Sequence, residues 1–147
     1  MADLPGSVLF ACTTNAVRSP MAEGIMKSIF GHLVYIDSAG VRREEINPFA
    51  VAVMDEIGIE LSRHRSMTIE DLEDPSFDLV VSLSPQAQHH AVELTRTMAC
   101  EVEYWNTFDA TVVVGNRETR LAAFREVRDG LIDRVKRRFP PPPSPQV

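Results

Sequence analysis

Residues 7–24, SVLFACTTNAVRSPMAEG, change character twice, and no other stretch limits the fold so tightly. Val8-Leu9-Phe10 is apolar without alternation, the pattern of a strand buried on both faces. From Ser19 the period lengthens. Pro20 suits a first helical turn, Met21, Ile25 and Ile29 recur every four residues, and Gly31 ends the run. A doubly buried strand feeding through a short polar loop into a helix is the opening unit of a parallel sheet with helices on both faces.

The remaining segments continue that alternation. Leu33-Val34-Tyr35-Ile36 predicts a second strand closed by Asp37-Ser38-Ala39-Gly40. Asn47-Pro48 opens a helix through Phe49, Ala52, Val53 and Ile57, with Gly58 as its stop. Phe77 to Leu83 predicts a third strand, Pro85 begins a helix to about Met98, and Glu101 to Trp105 a short fourth strand. Leu121, Phe124, Leu131, Ile132 and Val135 mark one face of a last helix ending before Pro140. The expected architecture is single-domain α/β: a four-stranded, doubly wound parallel sheet over residues 1–139, flanked by helices on both faces. Residues 140–147, PPPPSPQV, are expected to form a disordered, extended tail.

At 147 residues the chain has room for one core. A net charge of -6 argues against nucleic acid as a partner, because a phosphate backbone calls for a basic face. No apolar run approaches the roughly 20 residues of a membrane span, and Met-Ala-Asp-Leu-Pro lacks the features of a secretory signal. Cys12 and Cys100 make a poor disulfide framework, so a cytoplasmic location is expected. No metal or cofactor is expected: His89 and His90 are helix neighbours pointing about 100° apart, and His32 and His64 stand alone. Arg134, Lys136, Arg137 and Arg138 complement a helix C-terminus. Arg42 and Arg43 could contact acidic substrate groups but read first as a solvated loop, while Tyr104 and Trp105 fit either the core or a pocket.

In open parallel sheets ligands sit beyond the carboxyl ends of the strands, where the Cys12–Arg18 loop lies. Backbone N–H groups of such a loop converge, the following helix adds its positive end, and Arg18 offers a planar fork to two oxygens of a tetrahedral anion. The same field favours a thiolate at Cys12, a nucleophile aimed into a phosphate cradle.

The stretch VLFACTTNAVRSPMAEG resembles the phosphate-binding loop of low-molecular-weight protein tyrosine phosphatases and of the thioredoxin-coupled arsenate reductases that share their fold. DSAG at 37–40, FDLVVSLS at 77–84 and Asp109 before the last helix extend the likeness over nearly the whole chain apart from its tail. The resemblance implies Cys12 as nucleophile, Arg18 as binder of the phosphate and its transition state, and Asp109 as general acid and then base. Ser19 would donate a hydrogen bond to the thiolate and Asn15 would lock the loop; Thr13, Thr14, Ala16 and Val17 complete the implied binding set. Several positions depart from the usual pattern. Thr14 stands where Gly is usual, Val17 where a second cysteine is common, and Ala110 where proline follows the Asp. TVVVG replaces substrate-gripping aromatics, and NPFAV looks more like the reductases. The implied activity is a phosphomonoesterase acting on phosphorylated protein or small aryl phosphates through a phosphocysteine. The alternatives are an arsenate reductase drawing on an external thiol and a non-catalytic binder of inorganic oxyanions. SLSPQAQHH, after the third strand, lacks the cysteines of an internal thiol relay.

Overall fold

The computed structural model describes residues 4–141; the expected tail lies outside them beyond Pro141. Four parallel strands, β1 (Ser7–Cys12), β2 (Tyr35–Gly40), β3 (Leu79–Ser82) and β4 (Glu101–Tyr104), pair in the order β2-β1-β3-β4. Helices α1 (Arg18–Phe30), α2 (Pro48–Asp55), α3 (Pro85–Leu94) and α4 (Arg117–Arg138) connect and cover them. The chain leaves β1 toward β2 and returns on the other side of β1 to β3. The order therefore reverses at the β1/β3 boundary, where the loop after Cys12 emerges.

The unbroken apolar run of β1 serves two cores. Val8, Phe10 and Cys12 face a large cluster with α1, α2 and α4, while Leu9 and Ala11 face a smaller one with Phe77, Val80 and the Ala87 and Ala91 face of α3. Trp105 belongs to the larger core, edge-on to Phe10 at 5.9 Å, whereas Tyr104 is exposed. A polar strap joins α2 to α4: Glu56 accepts from Arg125 and from the largely buried Arg128, which also donates to Val53 O.

Several expected boundaries shift: β3 is Leu79–Ser82, shorter than Phe77–Leu83, and α2 ends at Asp55, before Ile57. β2 keeps Tyr35 and Ile36 of the expected strand but runs on through DSAG to Gly40, so DSAG is strand and not its closing turn. Leu33 is 43% exposed in the turn after α1, while Ser38, Ala39 and Gly40 are buried beside Phe10, Ala11 and Cys12. Small residues are needed there: a Cβ on Gly40 would stand 2.4 Å from Arg42 O and 2.8 Å from Asn15 N. Helix α3 stops at Leu94, short of the expected Met98, and Thr95–Met98 continues as hydrogen-bonded turns. Gly58, at φ 77°, takes up the left-handed conformation that ends the α2 region.

Candidate active site

The loop between β1 and α1 is turned inside out relative to an ordinary turn. Its carbonyls are all engaged from outside. Those of Cys12, Thr13, Thr14 and Ala16 accept from the N–H groups of Val41, Arg42, Glu44 and Asn47 at 2.9–3.1 Å, and Asn15 O accepts from Ser66 Oγ at 2.7 Å. A peptide's N–H and C=O point opposite ways, so a loop whose carbonyls face outward turns its N–H groups toward the middle, the geometry of an anion nest. Asn15 N already donates to Cys12 Sγ at 3.2 Å. At φ 53°, Asn15 is the one non-glycine residue with positive φ among the described residues, so Thr14 fits the loop in an ordinary conformation.

Beneath the loop lies a polar network. The amide of Met67 can only donate, and it bonds to Asn15 Oδ1 at 3.0 Å, which fixes the orientation of the carboxamide. Asn15 Nδ2 therefore donates to Ser19 Oγ at 2.8 Å and Ser38 Oγ at 2.9 Å, and His64 Nε2, 3.0 Å from Oδ1, must carry a proton. Ser38 donates to Glu23, whose other oxygen pairs with Lys27 at 2.6 Å. Sequence reasoning set His64 aside as a lone residue and did not single out Glu23, since nothing in their spacing marked them. Ser38 lay in view within DSAG.

One cavity of about 610 Å³ gathers the expected reactive groups: Cys12, Arg18 and Asp109 line it, with Thr13, Thr14, Ala16 and Val17. Asn15 and Ser19 do not line it; both are fully buried behind the loop and reach the site through Cys12. Arg18 Nη1 donates to Thr107 O at 3.0 Å, which parks the guanidinium at the mouth. Asp109 Oδ1 accepts from Thr111 N at 3.0 Å and Thr111 Oγ1 at 2.6 Å. Ala110 is 1% exposed, so packing into the core anchors this turn without a proline.

The wall holds residues that sequence reasoning left out: Glu44, Glu45, Asn47, Pro85, Gln86 and Thr111. Arg42 also borders it with its side chain 65% exposed, as the reading of a solvated loop expects. No aromatic ring is among the lining residues, and Val112 and Val114 are exposed. Among the described residues no group of three or more His, Cys, Asp or Glu is arranged to hold a metal, and no helix is long and apolar enough to cross a membrane.

The α/β topology and the nest after β1 define a class of oxyanion-handling enzymes built around a loop cysteine. The chain belongs to the low molecular weight phosphotyrosine protein phosphatase family, whose family model matches residues 7–137. It is 37% identical over 131 residues to an arsenate reductase of Halalkalibacterium halodurans, covering 88% of this chain and 91% of that protein. To an arsenate reductase of Bacillus subtilis it is 34% identical over 129 residues, covering 88% and 91%. Among solved structures, an arsenate reductase in the oxidized state matches with a TM-score of 0.71 at 30% identity, over 90% of this chain and 95% of that one. A mutant of YwlE from Bacillus subtilis matches at 0.70 and 27%, over 86% and 91%.

Proposed function

We propose that the protein is a cytoplasmic phosphomonoesterase that hydrolyses phosphotyrosine or small aryl phosphates through a phosphocysteine. The observation that carries this reading is the single cavity shared by Cys12, Arg18 and Asp109, with loop amides turned toward it. In the first step Cys12 Sγ bonds to phosphorus while the ester P–O bond breaks, and Asp109 gives its proton to the departing oxygen. The Arg18 fork and the loop N–H groups hold the three equatorial oxygens as charge spreads over them. In the second step Asp109, now a carboxylate, takes a proton from water, the water oxygen bonds to phosphorus, and Cys12 departs as thiolate. A wall without aromatic rings grips a phenyl group weakly, so the reading expects a high KM for simple aryl esters.

The names of the sequence relatives favour a second reading, arsenate reduction, since arsenate is a tetrahedral oxyanion of the same shape. That chemistry here needs an external thiol, because the two cysteines are free and Cys100 lies at the far end of the sheet. A side-by-side assay on the purified protein separates the two: aryl-phosphate hydrolysis without thiol, and arsenate reduction with thioredoxin or glutathione and glutaredoxin. Hydrolysis that requires Cys12 supports the phosphatase. Thiol-dependent arsenite production without hydrolysis replaces it with the reductase, and neither activity leaves an oxyanion binder.

A further inference from the structure

The chemistry proposed for the cavity uses Cys12, the loop amides, Arg18 and Asp109, and leaves one stretch of wall without a role. That stretch is Arg42 to Asn47, from which Glu44 and Glu45 both line the cavity. A hollow shaped to receive a tetrahedral anion gains nothing for that anion from two further carboxylates, since each repels it. Their presence bears on the rest of the ligand, beyond the phosphoryl group.

These two carboxylates are held in place and remain accessible. The N–H groups of Val41, Arg42, Glu44 and Asn47 donate to loop carbonyls at 2.9–3.1 Å, so the backbone of the acidic segment is fixed to the cradle it flanks. The Glu44 side chain is 61% exposed, and Glu45 is exposed as well. Nor are they neutralised. Glu44 has a long contact of 3.9 Å with Arg42, and Glu45 forms no ion pair among the described residues. Arg43 and Arg65 line a second hollow, which the two glutamates share as a ridge, and pair with neither of them. Arg18 and Arg42 are the only cations lining the catalytic cavity, and a bound phosphate occupies Arg18. With no aromatic ring on the wall, charge is the main means of recognition left there.

We infer that Glu44 and Glu45 set the ligand preference of this cavity, favouring a phosphorylated polypeptide with lysine or arginine beside the phosphorylated residue. As a substrate preference this rests on the phosphatase reading; as a binding preference it needs only the anion cradle. The phosphoryl group seats on the loop amides and Arg18, and the neighbouring cation meets the carboxylates at the rim, still in water. A substrate cation competes with Arg42 for Glu44 but finds Glu45 free, which makes Glu45 the stronger of the two. Acidic neighbours are repelled by the same pair. Exposed charge pairs are individually weak and screened by salt, so the selection is several-fold per glutamate and strongest at low ionic strength.

Two phosphotyrosine peptides of equal length test this, one with lysine on both sides of the phosphorylated residue and one with glutamate. Fluorescence anisotropy with labelled peptides and the Cys12→Ser chain, at low ionic strength, should show the lysine peptide binding about tenfold more tightly. The difference should shrink as sodium chloride is added. The chain's net charge of -6 attracts a basic peptide to any face, and substitution at the ridge separates that background. Adding Glu44→Gln and Glu45→Gln together should remove most of the preference, and Glu45→Lys should raise affinity for the glutamate peptide, a gain that a misfolded chain cannot show. Equal affinities in the parent site, or a preference that the double glutamine variant retains, overturns the inference. Hydrolysis by the chain with Cys12 intact forms the second arm, and kcat/KM should follow the same order. Ridge-dependent selection in binding with neither peptide hydrolysed upholds the inference and removes the phosphatase reading. Hydrolysis of both peptides at equal kcat/KM does the reverse.

Discussion

Ser19 Oγ stands 2.9 Å from Cys12 Sγ, and the network beneath the loop decides which of the two donates. Because Met67 N orients the Asn15 amide, Ser19 Oγ is already an acceptor from Asn15 Nδ2, and its own proton is left for the sulfur. The alternative acceptor, Ala39 O, is farther away at 3.5 Å. A hydrogen bond to a charged group contributes about 1.5–3 kcal/mol. Ser19→Ala should therefore slow alkylation of Cys12 by iodoacetate in mildly acidic buffer about tenfold or more, with little change in melting temperature. Equal alkylation rates would remove Ser19 as the donor.

Cys12→Ser should abolish turnover and keep anion binding. A hydroxyl is a far weaker nucleophile than a thiolate. The carbonyls that turn the loop amides toward the anion are bonded to residues 41–47 and Ser66 without help from the sulfur. Calorimetric titration with inorganic phosphate should give an affinity close to that of the parent. Retained hydrolysis would dismiss Cys12 as the nucleophile.

Cys100 should play no part in either chemistry. Val8, Leu79 and Glu101 share a register row, so Cys100 lies one row below it and Cys12 four rows above. Five strand residues amount to roughly 16 Å at ~3.3 Å each, more than twice the reach of a disulfide. Burial also pushes the Cys100 thiol up, away from thiolate at neutral pH. Cys100→Ser should match the parent in hydrolysis and in external-thiol arsenate reduction. A Cys12–Cys100 disulfide found by mass spectrometry after oxidation of the monomer would contradict the register.

The unit from β1 to α1 could be read from sequence because the hydrophobic period changes there and the loop residues carry chemistry at a fixed spacing. β2 could not be bounded, since Ser38, Ala39 and Gly40 are poor strand formers chosen for close approach to the loop. The support under the loop was hidden for a different reason. His64 meets Asn15 across 49 positions of sequence, and a single polar contact leaves no periodic trace. Composition likewise could not show that the backbone of the Arg42–Glu44 segment is bonded to the loop, although its side chains do face solvent.

Glu56 links the pH dependence of folding to the α2–α4 strap. Hydrogen bonds from Arg125 and then Arg128 lower its carboxyl from 4.5 to about 2. A depressed value means that the folded state favours the carboxylate. Its stabilising effect is complete above about 4.5 and is lost as pH falls through 2. Glu56→Gln should therefore melt below the parent at neutral pH, and the gap should close as the buffer is taken from 4.5 toward 2. A gap independent of pH would point to lost packing in place of lost charge pairing.

The proposed role of Asp109 makes the most discriminating prediction, because a general acid matters in proportion to how poor the leaving group is. Asp109→Asn should slow hydrolysis of phenyl phosphate by about 10²–10⁴-fold, and that of a nitrophenyl ester much less, since nitrophenolate departs without a proton. The alkaline limb of the kcat profile should flatten in the same variant, as that limb reports loss of the acid's proton. Thr111 gives a second handle. Its N–H and hydroxyl both hold Asp109 Oδ1, so Thr111→Val removes one of the two bonds and leaves the carboxyl chemistry in place. That variant should lower kcat for phenyl phosphate by a smaller factor while keeping the shape of the pH profile. Equal slowing of both esters in Asp109→Asn, with an unchanged profile, would leave the cavity without its acid and shift the balance toward arsenate chemistry, in which no ester oxygen has to be protonated.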